Sequence, residues 1–281
     1  MKREKNLFQR VASLMLAVVM VFSVIVVMPK DVKADVTKTI ASGGGTVAIS
    51  DEESAIVSGQ DTVITYVATK DGSLQLTFSN AIKNPQVAQQ IGHAWGYVTL
   101  CNASGTPLSA RLEYDTNSTY TGFYSEVYGV KKGTTYKIRI SAAGGVTVSA
   151  KFTAIKNNLN KNSSKKKAVN LKKKKQVDGV IQSGTTSTHW YKFKVTKAQK
   201  LNIGITPKLT GDLKLTVTGP GIKKGIFQVN CRYSAGGYNY LGSWGNKRSY
   251  GTDGKVRPGT YYIQVKPTSR TCGGSYKINW K

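Results

Sequence analysis

The stretch Pro258-Gly259-Thr260-Tyr261-Tyr262-Ile263-Gln264-Val265 joins a Pro-Gly turn to a run of aromatic and β-branched residues. This pattern is typical of a β-strand that leaves a tight turn. Short segments of the same kind, punctuated by Gly and Pro, recur along the chain of 281 residues. Strands at this spacing predict an all-β protein made of antiparallel β-sandwiches.

Period-two alternation of apolar and polar residues locates the predicted strands. They are expected at Val63–Val67, Leu74–Phe78, Tyr97–Leu100, Tyr136–Ile140, Val146–Phe152, Trp190–Val195, Leu201–Ile205, Leu213–Val217, Tyr261–Val265 and Tyr276–Trp280. Only Asn84–Ile91 is predicted to form a short helix.

The two halves of the chain look like diverged copies. Val130–Ile138 parallels Val256–Ile263 with a slip of one residue, and Gly144-Gly145 parallels Gly273-Gly274. The sequence therefore predicts two tandem sandwich domains, with an insertion in the first near residues 80–96.

The N-terminus has the features of a secretory signal peptide, residues 1–34. A basic start precedes an apolar run, Val11–Met28, and Val32-Lys33-Ala34 offers a cleavage site before Asp35. We expect a secreted or cell-surface protein with no transmembrane anchor after cleavage. The alternative is that the apolar run, close to the length of a membrane span, is retained as an anchor.

The charge of the chain is concentrated in its second half. Of the net +27, residues 35–155 contribute zero, with nine basic and nine acidic residues, and residues 156–281 contribute +23, with 26 basic and three acidic residues. Such an excess attracts polyanions. Nucleic acid fits the charge, but the predicted export argues against it.

Lysines mark the predicted boundary between the domains. We expect an N-terminal sandwich at 35–155, a solvated Lys-rich linker at 156–175 and a C-terminal sandwich at 176–281. The predicted polyanion-binding residues are the lysines of this linker: Lys165, Lys166, Lys167, Lys172, Lys173, Lys174 and Lys175.

The second half, from about residue 168, resembles the bacterial pre-peptidase C-terminal domain. The resemblance rests on Val177–Ile181, His189–Val195, Arg257–Val265 and the closing Gly274–Ile278. It implies a jelly-roll-like sandwich found beside secreted proteases and on other exported proteins. Calcium sites of some members use acidic residues at the domain entrance. Here Asp178 is the only nearby acid, so no metal or cofactor is expected.

A long loop carries the clearest binding signal. Between Val229 and Val256, Tyr and Trp alternate with Gly and basic residues, a composition typical of binding loops on which sugar rings stack. The predicted ligand-binding residues are Tyr238, Tyr240, Trp244, Arg232, Lys247 and Arg248. The alternative is that these aromatic residues are core residues of two further strands.

The three cysteines are interpreted through the predicted export. Cys231 and Cys272 both lie in the second half, so a disulfide between them is expected in an oxidising exterior. Cys101 is left as a small buried residue on a strand; the alternative is a reactive thiol that pairs with His93.

No catalytic constellation is apparent. Asp178, Asp212 and Asp253 are the only acids after residue 155 and lie beside turns, which disfavours paired catalytic carboxylates. We expect a non-catalytic binding protein whose basic domain attaches to anionic cell-wall polymers, polysaccharides or extracellular matrix. The alternative function is an accessory module or partner of a secreted hydrolase, such as a protease, with no catalysis of its own.

Overall fold

The structure, a computed structural model, describes residues 35–117, 125–156, 162–229, 233–235, 238–240, 248–251 and 254–281. Between 223 and 251 the strands are described by their backbone only. The predicted signal peptide lies outside the described residues. Strands dominate the described part of the chain, so the predicted all-β sandwich fold is confirmed.

The first half forms two facing sheets. Their strands are β1 (Val36–Ile40), β2 (Gly44–Ile49), β3 (Thr62–Val67), β4 (Gly72–Asn80), β5 (Trp95–Asn102), β6 (Leu112–Asp115), β7 (Ser125–Val130), β8 (Thr135–Ala143) and β9 (Val146–Ala154). One sheet has the order β1-β3-β8-β5-β6 and the other β2-β9-β4-β7. Two short helices join strands: α1 (Ala55–Ser58) and α2 (Pro85–Ile91).

The second half forms two more sheets. Its strands are β10 (Val169–Asn170), β11 (Val177–Ile181), β12 (His189–Val195), β13 (Asn202–Leu209), β14 (Leu213–Gly219), β15 (Ile222–Val229), β16 (Tyr233–Ala235), β17 (Tyr238–Tyr240), β18 (Arg248–Gly251), β19 (Gly259–Pro267) and β20 (Gly274–Trp280). The sheet orders are β10-β12-β19-β14-β15 and β11-β20-β13-β18, and β16 and β17 form a separate hairpin. A 3-10 helix spans Lys165–Lys167.

The two halves have the same strand order. Strands β1 to β6 of the first half correspond in order to β10 to β15 of the second, and β7 to β9 correspond to β18 to β20. With this correspondence the strand orders of the two pairs of sheets are identical. The hairpin of β16 and β17 is an addition in the second half, and α1 and α2 are additions in the first. This correspondence agrees with the parallels in the sequence.

Each half departs from a purely antiparallel sandwich at one edge. β1 runs parallel to β3, and β10 runs parallel to β12. The reason is topological: the intervening strand, β2 or β11, belongs to the opposite sheet, so the chain returns to the first sheet in its original direction.

Alternating burial along the strands builds two separate cores. The inward residues of the first half form one apolar cluster and those of the second half form another. In the second core the ring of Phe193 stacks on those of Trp280 and Tyr261, with centroids 4.5 Å and 5.6 Å away. Burying each such side chain stabilises the fold by about 1.5–3 kcal/mol.

The acidic run before α1, residues 51–53, includes a buried carboxylate at Asp51. Asp51 is buried, and its carboxylate accepts backbone N–H bonds from Asn84 (2.7 Å), Lys83 (2.8 Å) and Gly145 (2.7 Å). Burial acts to raise the pKa of Asp51, whereas the three backbone hydrogen bonds act to lower it. Together the bonds outweigh burial, so the pKa of Asp51 lies below its ordinary value. Asp51 thereby holds the start of α2, where the Asn84 side chain caps the helix.

The described part of the predicted linker, 162–175, does not behave as a solvated spacer. Leu171 lies in the second core, and its backbone N–H donates to the Lys192 carbonyl at 2.8 Å. The Trp280 indole N–H donates to the Leu171 carbonyl at 2.9 Å. Apolar residues within the lysine run are buried in the core, and their burial holds the run against the edge of the sandwich.

The edge strand β7 joins the two halves. All six of its residues are buried, and the Ser183 N–H donates to the Gly129 carbonyl at 3.0 Å. A Cβ at Gly129 would overlap the carbonyl oxygen of Ile181. The backbones of β7 and β11 therefore approach as closely as only glycine permits.

Replacing Gly129 with Ala should lower the free energy of unfolding by about 1–3 kcal/mol, because the backbones of β7 and β11 must separate to admit a methyl group. Gly43→Ala is the matched control, since a Cβ at Gly43 meets no atom within 4 Å. Denaturant unfolding of both variants measures the difference. Equal stability of the two would show that the junction is loose.

Candidate functional site

The seven predicted polyanion-binding lysines lie along one edge of the C-terminal sandwich. Lys165, Lys166 and Lys167 form the 3-10 helix, Lys172–Lys175 follow β10, and all seven are exposed. The run is fixed by its backbone, because the Lys174 N–H donates to the Trp280 carbonyl at 2.8 Å. The structure therefore holds these cations in place beside β12.

Three lysines meet in a groove at this edge. The groove, about 390 Å³ in volume, is lined by Lys172, Lys173, Lys194, Gln199 and Trp280, together with Asn170, Leu171 and Thr196. The Lys173 ammonium donates to the Gln199 side-chain carbonyl at 2.7 Å and lies 5.6 Å from the Trp280 ring centroid. Among the residues that the structure describes, no carboxylate lines this groove, so its described lining presents positive charge and hydrogen-bond donors to a ligand.

The outer face of the five-stranded sheet extends the positive surface. On β12, Trp190, Lys192 and Lys194 point outward while their neighbours are buried. The outward residues of β19 and β14 continue this face across the sheet; they include Tyr262, Gln264, Lys266, Lys214 and Thr218. Among these described residues there is no acid.

This outer face was missed by the sequence reasoning, although its signal was present. Period-two alternation identified β12 and β19, and the same alternation assigns Lys192 and Tyr262 to the solvent side. What the sequence does not reveal is that Lys192 and Tyr262 are direct cross-strand partners. The Lys165 ammonium lies 4.6 Å above the Tyr262 ring centroid, which links the 3-10 helix to the face by a cation–π contact.

The predicted aromatic binding loop is described only in part. Tyr238 and Tyr240 lie in β17, which pairs with β16, and Arg248 begins β18. Arg232, Trp244 and Lys247 lie outside the described residues. Further strands do run through this region, as the alternative interpretation required. Ligand binding by the loop stays a prediction.

Cys272 carries a free thiol that is fully buried in the second core. Burial raises its pKa to about 12. Its predicted disulfide partner, Cys231, lies outside the described residues, so the bridge between them is not tested by the structure. Cys101 is also a free, buried cysteine on β5, and burial raises its pKa, which disfavours a reactive thiolate.

Iodoacetamide should leave Cys272 unmodified in the folded chain and should alkylate it once the chain is unfolded in denaturant without reductant. The reasons are the burial and the raised pKa of a free thiol. Mass spectrometry of the tryptic peptides reads the result, with Cys101 as an internal reference. A Cys272 that resists alkylation in denaturant until reductant is added would instead establish a disulfide.

The two histidines have structural partners. Buried His189 contacts the Tyr276 hydroxyl through Nδ1 at 2.8 Å, and the Tyr191 hydroxyl lies 2.7 Å from that of Tyr276. Burial raises the pKa of Tyr276 well above its ordinary value. The Nε2 atom of His93 lies 2.9 Å from a carboxylate oxygen of Asp115. His93 thus has a carboxylate as its partner, and the alternative pairing with Cys101 gains no support.

Two features are absent from the described part of the chain. No group of three or more His, Cys, Asp or Glu side chains there could hold a metal ion. No helix there is long and apolar enough to span a membrane.

Comparison with known proteins gives likeness to solved structures only. No protein-family model matches the chain, and no curated protein matches it. The pre-peptidase C-terminal domain of a collagenase from Bacillus anthracis is 16% identical, with 41% of this chain and 94% of that chain covered and a TM-score of 0.27. PliG from Salmonella Typhimurium, a periplasmic inhibitor of g-type lysozyme, is 23% identical, with 41% and 98% covered and a TM-score of 0.24.

A third structure covers more of the chain. The CUB1-EGF-CUB2 domains of rat MASP-1 are 9% identical, with 86% of this chain and 99% of that chain covered and a TM-score of 0.25. TM-scores this low carry no argument about function. The chain is an all-β sandwich protein, and its resemblance to pre-peptidase C-terminal domains stays a prediction.

Proposed function

We propose that this chain is an exported, non-catalytic binding protein. Its basic C-terminal sandwich attaches to anionic polymers or glycans of a cell surface or extracellular matrix. The observation that carries the proposal is the groove of Lys172, Lys173 and Lys194, which is continuous with the lysines of the outer face. Export rests on the signal-like N-terminus, and it favours extracellular polyanions over nucleic acid as partners.

The fixed position of the lysines supports binding by more than net charge. β10 and Leu171 hold the backbone of the run against β12, so its ammonium groups project from a defined edge. A ligand then needs to order only the side chains and not the chain that carries them, which lowers the entropic cost of binding. Each anionic group that contacts a lysine also releases counterions.

The neutral first half supports a division of labour. Residues 35–155 carry equal numbers of basic and acidic residues, so they provide no electrostatic attraction of their own. Ion pairs such as that of Lys38 with Glu53, at 2.8 Å, neutralise cations of the first half, whereas the lysines of the groove in the second half stay exposed. Polyanion binding therefore belongs to the C-terminal sandwich.

Changing Lys172, Lys173 and Lys194 together to Gln should reduce the salt concentration that elutes the full chain from a dextran sulfate column. Three lost contacts should also lower the slope of log affinity against log salt by about 2. The measurement is elution over a sodium chloride gradient, with binding isotherms at several salt concentrations.

The control is Lys131→Gln, Lys132→Gln and Lys151→Gln, which removes three exposed charges from the N-terminal sandwich. It should elute close to the unaltered chain. Equal shifts for the two triple variants would mean that net charge alone drives binding, and no shift for the groove variant would refute the proposed site.

A further inference from the structure

We propose that the outer face of the five-stranded C-terminal sheet binds a polysaccharide of carboxylated sugar rings, which stack on Trp190 and Tyr262. This inference rests on the proposed function and deepens it, because it names a site on the sheet and a class of ligand.

The strand register places two aromatic and two polar side chains in a square. Trp190 is directly opposite Gln264, and Lys192 is directly opposite Tyr262. The aromatic residues therefore occupy one diagonal of the square, and the lysine and the amide occupy the other. Diagonal neighbours lie roughly 7–8 Å apart, within reach of aromatic side chains. These four side chains form a compact platform that offers aromatic rings for stacking and polar groups for hydrogen bonding.

The two aromatic residues stand out among the outward residues of this sheet. Trp190 and Tyr262 are partly exposed, whereas the aromatic residues on either side of them in sequence, Tyr191 and Tyr261, are fully buried in the core. Across β12 and β19 the cross-strand partners of Trp190 and Tyr262 are Gln264 and Lys192, both polar, so packing between these two strands does not require either ring on the solvent side.

Positive charge surrounds the platform. Lys192 lies within it and Lys194 follows on β12. The Lys165 ammonium stands 4.6 Å above the Tyr262 ring in the free chain, and a sugar ring that stacks there would displace it from the ring to pair with the sugar carboxylate. Lys214 and Lys266, which are cross-strand partners, flank the other side. A carboxylate that entered this face would find cations at its rim, with the Gln264 amide between them.

The combination of features selects the ligand. A sugar ring offers a face of C–H groups that can lie on an aromatic ring and hydroxyl groups that can bond to Gln264. Its carboxylate can accept charge-assisted hydrogen bonds from lysine. A polyanion without rings would use only the lysines, and a neutral polysaccharide would use only the platform. A carboxylated polysaccharide uses both.

The test compares three polymers on the full chain by isothermal titration at low and at high salt. Oligogalacturonate has carboxylated rings, polyglutamate has carboxylates without rings, and dextran has rings without charge. At about 1 M salt the screening length falls to about 3 Å, so lysine contacts weaken strongly while stacking persists. We expect both anionic polymers to bind at low salt, and oligogalacturonate to bind at least about fivefold more tightly than polyglutamate at high salt.

Trp190→Ala with Tyr262→Ala should abolish this advantage at high salt and leave polyglutamate binding at low salt intact. Trp95→Ala with Tyr97→Ala, on the N-terminal sandwich, is the matched control. Trp190→Leu with Tyr262→Leu keeps the apolar cover of the sheet if the alanine variant does not fold.

The outcomes separate the two proposals. If neither anionic polymer binds at low salt, the proposed function is wrong. Two results would refute the platform and leave the proposed function standing. In the first, both anionic polymers bind at low salt, but oligogalacturonate binds no more tightly than polyglutamate at high salt. In the second, the high-salt advantage of oligogalacturonate persists in the folded variants that lack Trp190 and Tyr262.

Discussion

The whole account depends on one constraint, the burial of alternate side chains along two-faced sheets. In each half, two sheets face one another across an apolar core, so most strands bury alternate apolar residues and turn the others to solvent; β7, buried on both faces, is an exception. Lysine on a strand can therefore only point outward. With 26 basic and three acidic residues in 156–281, this constraint alone turns the outside of the C-terminal sandwich into a positive surface.

The same fold carries two different surfaces in this protein. Strand for strand the two halves have one topology, yet the first is electrically neutral and the second is strongly basic. Function on such a scaffold belongs to the outward residues and the edges and not to the fold. The lysine run shows how an edge is used: Leu171 anchors the run in the core, and the lysines that follow are displayed beside β12.

Period-two alternation was sufficient to predict the inner strands of the four sheets, such as β8 and β19, but it did not predict edge strands such as β1, β2, β6 and β7. The helix predicted at Asn84–Ile91 agrees with α2, which the Asn84 side chain caps. The course of the lysine run was not predictable in this way. β10 is only two residues long, and Leu171 is a single apolar residue among lysines, so no periodic signal marks their burial. The burial of Asp51 is likewise not marked in the sequence, because its partners come from segments distant in the sequence.

The candidate site also has one part that could be predicted from the sequence and one part that could not. The exposed lysines could be predicted from composition, since a run of charge has to face water. The pairing of Lys192 with Tyr262, and of Trp190 with Gln264, could not, because it depends on the register between β12 and β19. Side chains that are far apart in the sequence become neighbours only once that register is fixed.

The central claim, that polyanions are held by the C-terminal basic surface, is tested most directly by lysine footprinting. The full chain is acetylated briefly with and without dextran sulfate, and the modification of each lysine is read by mass spectrometry. The account predicts protection of Lys172, Lys173, Lys192 and Lys194, with Lys70, Lys131 and Lys151 of the N-terminal sandwich unaffected. Equal protection across both sandwiches, or protection confined to the first, would contradict it.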